Sequence, residues 1–102
     1  MITVGQILRN KRQELGLLLR QVSAYIDIDQ ALLSKIERNE RNPTKEMLEK
    51  LSTILKLDKD DLMVQYFSDK IAYEIANEDC ASKALKVAEK KIKFLKSKST
   101  QI

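Results

Sequence analysis

The sequence contains no histidine and only one cysteine among its 102 residues. Histidine is the commonest general base and the commonest metal ligand, so its absence argues against most hydrolytic and metal-dependent enzymes. A single cysteine excludes an internal disulfide and a cysteine-ligated zinc site. We therefore expect a protein that is not an enzyme and that binds no metal and no cofactor.

Glycine and proline are also scarce, with two copies and one copy. Sandwiches and barrels of β-strands need many tight turns, which these residues commonly form. No apolar run is long enough to span a bilayer, and the N-terminus lacks the apolar stretch of a secretory signal. These absences predict an all-α, cytoplasmic protein that does not contact a membrane.

The charged residues are nearly balanced in the first two thirds of the chain. Residues 1–67 carry eleven Lys and Arg against ten Asp and Glu, whereas residues 68–102 carry eight Lys against five acids. A nucleic-acid site in the first part would thus need a local basic face, since the overall field is weak. We interpret the C-terminal lysines as a solvated helix face, with direct phosphate contact as the alternative.

Apolar residues recur at helical spacing along most of the chain, and polar residues suited to helix ends punctuate the pattern. Thr3 followed by Gln6 is a capping-box pattern, Asp29 and Thr44 are good N-caps, and Gly16 suits the residue after a helix. No strand is predicted. The six predicted helices cover about 4–15, 19–26, 30–37, Thr44 to Leu57, Asp58 to about Ala76, and 80–96.

The second and third predicted helices are short and are separated by a tight turn, which is typical of a helix-turn-helix unit. A set of residues between Leu8 and Leu62 makes this more specific: Leu8, Arg12, Gly16, Leu17, Val22, Ile26, Ile28, Ser34, Ile36-Glu37-Arg38, Arg41-Asn42-Pro43 and Leu51. The run LLSKIERNERNPT is its strongest part. On these residues the chain resembles the Cro/C1-type (Xre) helix-turn-helix family of bacterial and phage transcriptional regulators.

The resemblance implies a five-helix, lambda-repressor-like DNA-binding domain over residues 1–66, followed by a helical extension over residues 67–102. It places contacts with double-stranded DNA bases at Gln30, Ala31 and Lys35. An amide, a methyl group and an ammonium are groups that read base edges in a major groove. The alternative is that these three are ordinary surface residues.

The resemblance also implies contacts to the phosphate backbone, which fix register without reading sequence. The residues expected there are Arg12, Arg20, Ser34, Arg38, Arg41 and Asn42. Arg12 and Glu37 are further expected to pair and so to join the first helix to the end of the third. The chain departs from the family at Leu18 and Leu19, where Ser or Thr and then Gln are usual, and at Asp27, which replaces a turn glycine.

Apolar residues of the last predicted helix recur at spacings of four, three, four and three, which is the a/d pattern of a coiled coil. We expect a homodimer interface formed by Phe67, Ile71, Ile75, Leu85, Ala88, Ile92 and Leu95. Two heptads are marginal alone, so we also expect this helix to pack on the preceding one. The alternative is that both helices fold back on the core of the same subunit. The polar tail from Ser97 to Ile102 is expected to fray.

Together these features predict a homodimeric, sequence-specific transcriptional regulator that binds a palindromic operator and no small-molecule ligand. Compact regulators of this kind control restriction–modification genes, as controller proteins, or phage-type genes. Two alternatives use the same fold: a protein–protein interaction module with Leu17, Leu18 and Leu19 as its contact patch, or an antitoxin. An enzyme ranks last.

Overall fold

The computed structural model describes residues 1–99, which form six α-helices and no strand within that range. The prediction of an all-α fold is therefore confirmed. The helices are α1 (Val4–Glu14), α2 (Leu19–Tyr25), α3 (Gln30–Glu37), α4 (Lys45–Ile54), α5 (Lys59–Ile75) and α6 (Ala81–Ser99). The chain divides into two compact units, Met1–Lys70 and Ile71–Ile102. No described helix is both long and apolar enough to cross a membrane.

A single hydrophobic core holds the first unit together. It is built from the apolar stripes of all five helices in that unit, because spacings of three and four residues put these side chains on one face of each helix. Its buried members are Val4, Leu8, Val22, Ile26, Leu33, Ile36, Leu48, Leu51, Leu55, Leu62 and Tyr66. The core fixes the short helices α2 and α3 against the longer ones.

The first four helices all end in the same way. Each is followed by a residue with positive φ: Gly16 (69°), Asp27 (58°), Asn39 (65°) and Lys56 (56°). The next residue then donates its N–H to the carbonyl five residues back: Leu17 to Arg12 (3.0 Å), Ile28 to Ser23 (3.0 Å), Glu40 to Lys35 (2.9 Å) and Leu57 to Ser52 (2.9 Å). This Schellman closure satisfies carbonyls that the helix leaves unpaired. Three of the four residues carry a Cβ, which makes the conformation costly.

The N-terminus of α1 is capped twice. Thr3 Oγ1 accepts from the Gln6 N–H (3.2 Å) and Gln6 Oε1 accepts from the Thr3 N–H (3.1 Å), so the predicted capping box is confirmed. Asp69 of α5 adds a contact that the sequence did not predict, because its Oδ2 accepts from the Val4 N–H at 2.7 Å. This carboxylate extends the first unit beyond residue 66.

Gly5 is buried where α1 meets the end of α3. A Cβ at this position would collide with the carbonyl oxygen of Ile36 and lie 2.8 Å from that of Glu37. The backbones of α1 and α3 can approach this closely only because residue 5 has no side chain. Nothing in the sequence pattern predicted this role of Gly5.

Helix α6 differs from the prediction in two ways. Every side chain from Ser82 to Lys98 is exposed, so the expectation that this helix packs on its neighbour is wrong. Residues 71–75 offer only two large aliphatic side chains, Ile71 and Ile75, and Ile71 is itself 46% exposed. The helix also continues through Ser99, beyond its predicted end at Lys96, since no glycine or proline interrupts it. The rest of the expected frayed tail, residues 100–102, lies outside the described residues.

Candidate nucleic-acid interface

Helix α3 has one face in the core and one face in solvent. Leu33 is fully buried and Ile36 is 1% exposed. Gln30, Ala31 and Lys35 are exposed, although they lie within a few residues of Leu33 and Ile36 in the sequence. The rotation of 100° per residue accounts for the division. All three residues predicted to contact bases therefore share one solvent-facing surface, which begins at the N-terminal end of the helix.

Asp29 fixes where α3 begins. Its backbone is extended (φ −64°, ψ 138°), and its Oδ1 accepts from the Ala31 N–H at 2.9 Å. The carboxylate thereby satisfies one of the backbone donors that the first turn leaves unpaired. The helix consequently starts with Gln30 and Ala31 as its first two residues, both exposed at its tip.

Three of the residues predicted to contact phosphates, Arg38, Arg41 and Asn42, lie in the loop after α3, and Ser34 lies on α3 itself. The structure brings two of them together, because Arg38 Nη1 donates to Ser34 Oγ at 2.8 Å. Glu40 also engages this arginine, with its Oε2 at 2.9 Å from Nη2. Glu40 was not among the predicted site residues, although a carboxylate two residues from a predicted phosphate contact is visible in the sequence. Arg41 and Asn42 are exposed in the same loop.

Arg12 and Glu37 form the expected pair in two parallel contacts. Arg12 Nε donates to Glu37 Oε2 at 2.8 Å and Nη2 donates to Oε1 at 3.0 Å. Nη1 donates to the Leu17 carbonyl at 2.9 Å. The side chains are only 11% and 5% exposed. The guanidinium is thus committed within the protein, which favours its structural role over the phosphate contact that the sequence also allowed.

A small cleft of about 150 Å³ opens between α1, α2 and α3. Its lining residues are Arg9, Arg12, Leu19, Ser34, Glu37 and Arg38. Two of its three arginines are already paired, Arg12 with Glu37 and Arg38 with Glu40. Arg9 is exposed on α1 and was not among the predicted contacts, whereas the predicted Arg20 is exposed on α2 outside this lining. Leu19 contributes an apolar wall where the family usually has a glutamine.

The residues predicted to form a dimer lie in both units. Phe67 belongs to the first unit, where its ring meets the Tyr66 ring edge-on (centroids 5.1 Å apart) and lies 5.2 Å from Lys45 Nζ. In the second unit, the large apolar residues of the α6 stripe remain accessible: Leu85 (46% exposed), Ile92 (50%) and Leu95 (62%). Ala88 lies between them and is also exposed. The a/d stripe of α6 is thus uncovered within its own unit.

Two short helices joined by a tight turn, with the second one buried on one side and open at its N-terminal end, define a helix-turn-helix protein. The helix-turn-helix family model matches residues 8–62, which is more than half of the chain. The chain belongs to this family of DNA-binding transcriptional regulators, and within it to the Cro/C1 type.

Solved structures of gene regulators resemble the chain. The master regulator for biofilm formation SinR, in complex with DNA, is 32% identical with a TM-score of 0.55, and the match covers 60% of this chain and 98% of that one. The N-terminal DNA-binding domain of SinR from Bacillus subtilis is 33% identical, with a TM-score of 0.54 and coverages of 59% and 88%. The clp gene regulator ClgR from Corynebacterium glutamicum is 25% identical, with a TM-score of 0.57 and coverages of 78% and 83%. No curated protein matches the chain.

Proposed function

We propose that this chain is a sequence-specific regulator that acts in the cytoplasm as a homodimer on a palindromic operator. The observation that carries the proposal is the solvent-facing side of α3, which Gln30, Ala31 and Lys35 share. Amide, methyl and ammonium groups complement adenine, the thymine methyl group and guanine in the major groove. The likeness to SinR, whose structure contains DNA, supports the same docking mode.

Phosphate contacts would come from the surroundings of this side of α3. Arg41 and Asn42 lie exposed in the loop after α3, Arg20 is exposed on α2, and Arg38 is held by Ser34. Such groups fix the register of the protein on the duplex and supply affinity that depends on salt.

Two copies are needed because one helix reads only a few base pairs. Two-fold dimers on inverted half-sites are the usual solution for helix-turn-helix proteins. The uncovered stripe of Leu85, Ala88, Ile92 and Leu95 supplies an apolar surface for this purpose. Restriction–modification or phage-type genes are the proposed targets.

The function is tested by comparing two variants on selected DNA. Sites are first enriched from a pool of randomised duplexes with the full chain. Lys35→Ala should then reduce discrimination at one operator position by about 1–3 kcal/mol, because a base contact is lost. Arg41→Ala should instead weaken binding to operator and random DNA alike and reduce the salt slope by about one unit, because a phosphate contact is lost.

Binding isotherms at several salt concentrations separate these outcomes. If Lys35→Ala weakens binding equally on all duplexes, its side chain contacts phosphate and the assignment of α3 as the reading helix loses its support. If the full chain enriches no sequence from the pool, the proposed function is wrong.

A further inference from the structure

Asp29 combines two properties at the tip of α3. One carboxylate oxygen, Oδ1, accepts from the Ala31 N–H at 2.9 Å and so starts the helix. Within residues 1–99, no hydrogen bond or ion pair engages the other oxygen, Oδ2. The residue is exposed and directly precedes Gln30 and Ala31. A carboxylate with one oxygen available as an acceptor therefore lies beside the side chains that are proposed to read bases.

A carboxylate at this position is costly unless the DNA supplies a donor. Insertion of α3 into a major groove brings the phosphates of both strands near Asp29, and like charges repel. The groove offers two kinds of hydrogen-bond donor, the N4 amino group of cytosine and the N6 amino group of adenine. Guanine and thymine present acceptors at the corresponding positions, and a carboxylate cannot donate to them.

We propose that Asp29 is a specificity-determining residue whose Oδ2 accepts a hydrogen bond from the exocyclic amino group of a cytosine or adenine. The inference rests on the proposed function and assigns a base preference within it. The same side chain then has two roles, because Oδ1 caps the helix while Oδ2 accepts amino-bearing bases and rejects the other two. Discrimination of this kind uses repulsion as well as attraction.

The test uses substitutions that keep the cap. Asparagine and serine are about as good as aspartate at an N-cap, so Asp29→Asn and Asp29→Ser should fold normally, which thermal unfolding verifies. Asp27→Asn is the matched control, because it removes the same charge from an exposed residue two positions earlier.

Each full-length protein is used to enrich sites from randomised duplexes. Affinities are then measured on duplexes that carry each of the four bases at every position of the half-site.

The wild-type chain should prefer cytosine or adenine by about 5-fold or more at one position beside those read by α3. Asp29→Ser should abolish that preference alone. Asp29→Asn should admit guanine or thymine there, because an amide also donates. Asp27→Asn should keep the wild-type preference. The four-base comparison identifies whether cytosine or adenine supplies the amino group.

If both Asp29 variants keep the wild-type preferences and only bind all DNA more tightly, the inference is overturned and Asp29 is a cap alone. That outcome leaves the proposed function intact, because the wild-type chain would still have enriched a site. Failure of the wild-type chain to enrich any site overturns the proposed function, and this inference with it.

Discussion

Glu37 and Glu40 lie three residues apart and both pair with an arginine, but in opposite surroundings. The Glu37 side chain is 5% exposed and receives two hydrogen bonds from Arg12. The Glu40 side chain is 55% exposed, and the side chain of its partner Arg38 is 53% exposed. Exposed pairs contribute little because water and salt screen them, whereas breaking a buried pair leaves an uncompensated charge.

Substitution of the two glutamates should therefore give very different losses of stability. Glu37→Gln should lower the free energy of unfolding by about 3 kcal/mol, since the buried Arg12 loses its counter-charge. Glu40→Gln is the matched control and should change it by less than about 0.5 kcal/mol. Urea denaturation of both variants measures the difference, and equal small losses would contradict the structural role of the Arg12–Glu37 pair.

Two polar contacts between residues far apart in the chain were not equally predictable from the sequence. The pairing of Arg12 with Glu37 was expected from family resemblance, although 25 positions separate the two residues. The contact of Asp69 with the Val4 N–H was not expected, because nothing in the spacing of two residues 65 positions apart indicates that they meet. Long-range polar contacts of this kind follow from the packing of the whole unit.

At the scale of helices, the sequence pattern was informative because caps and periodicity are local. The predicted bounds of α1 to α5 lie close to the observed ones, since apolar spacing marks each helix and a capping residue or turn marks its ends. The end of α6 was predicted at Lys96 but lies at Ser99, because serine and lysine are compatible with a helix and no breaker follows. The positive φ of Lys56 had no sequence signal, since lysine rarely adopts it.

Lys56 thus stores strain that a substitution can relieve. Lys56→Gly should raise the free energy of unfolding by about 1 kcal/mol, because glycine adopts positive φ without a steric penalty. Lys50→Gly, at an exposed position inside α4, should lower it by about 1 kcal/mol, because glycine is a poor helix former. Thermal or urea unfolding measures both. If Lys56→Gly destabilises the protein, the strain at this helix end is absent in solution.

At the scale of the whole molecule, the sequence left open what covers the apolar stripe of α6. Spacing alone could not decide this, because apolar burial depends on the area removed from water and not on which chain removes it. Leu85, Ile92 and Leu95 are not covered by other side chains of their own unit. This exposure is what makes a second copy the proposed partner.

The dimer is tested with two pairs of substitutions on the same helix. Leu85→Gln with Ile92→Gln should make the full chain monomeric at micromolar concentration and weaken operator binding, because polar groups in an apolar seam lose hydration without gaining partners. Lys86→Gln with Lys93→Gln has the same spacing, about 100° round the helix from Leu85 and Ile92, and should leave the dimer intact. Sedimentation of both proteins decides the matter.

A first variant that remains dimeric with full operator affinity would exclude the α6 stripe as the interface. Dimers should also favour inverted half-sites whose centres lie roughly 34 Å apart, which is one turn of the duplex. The full chain suits this test better than a fragment that ends at Tyr66, because such a fragment lacks the Asp69 carboxylate that caps α1.

The close approach at Gly5 has a genetic consequence. Every other amino acid carries a Cβ, so no missense codon at position 5 avoids the carbonyl oxygens of Ile36 and Glu37. Gly5→Ala should lower the free energy of unfolding by about 2 kcal/mol or more through overpacking. Gly16→Ala meets open space and should lower it by about 1 kcal/mol through its positive φ alone.

In a saturation library selected for operator binding, position 5 should return only synonymous glycine codons. Position 16 should also return asparagine, which tolerates the left-handed conformation. Survival of alanine or serine at position 5 would mean that α1 and α3 can separate without loss of function.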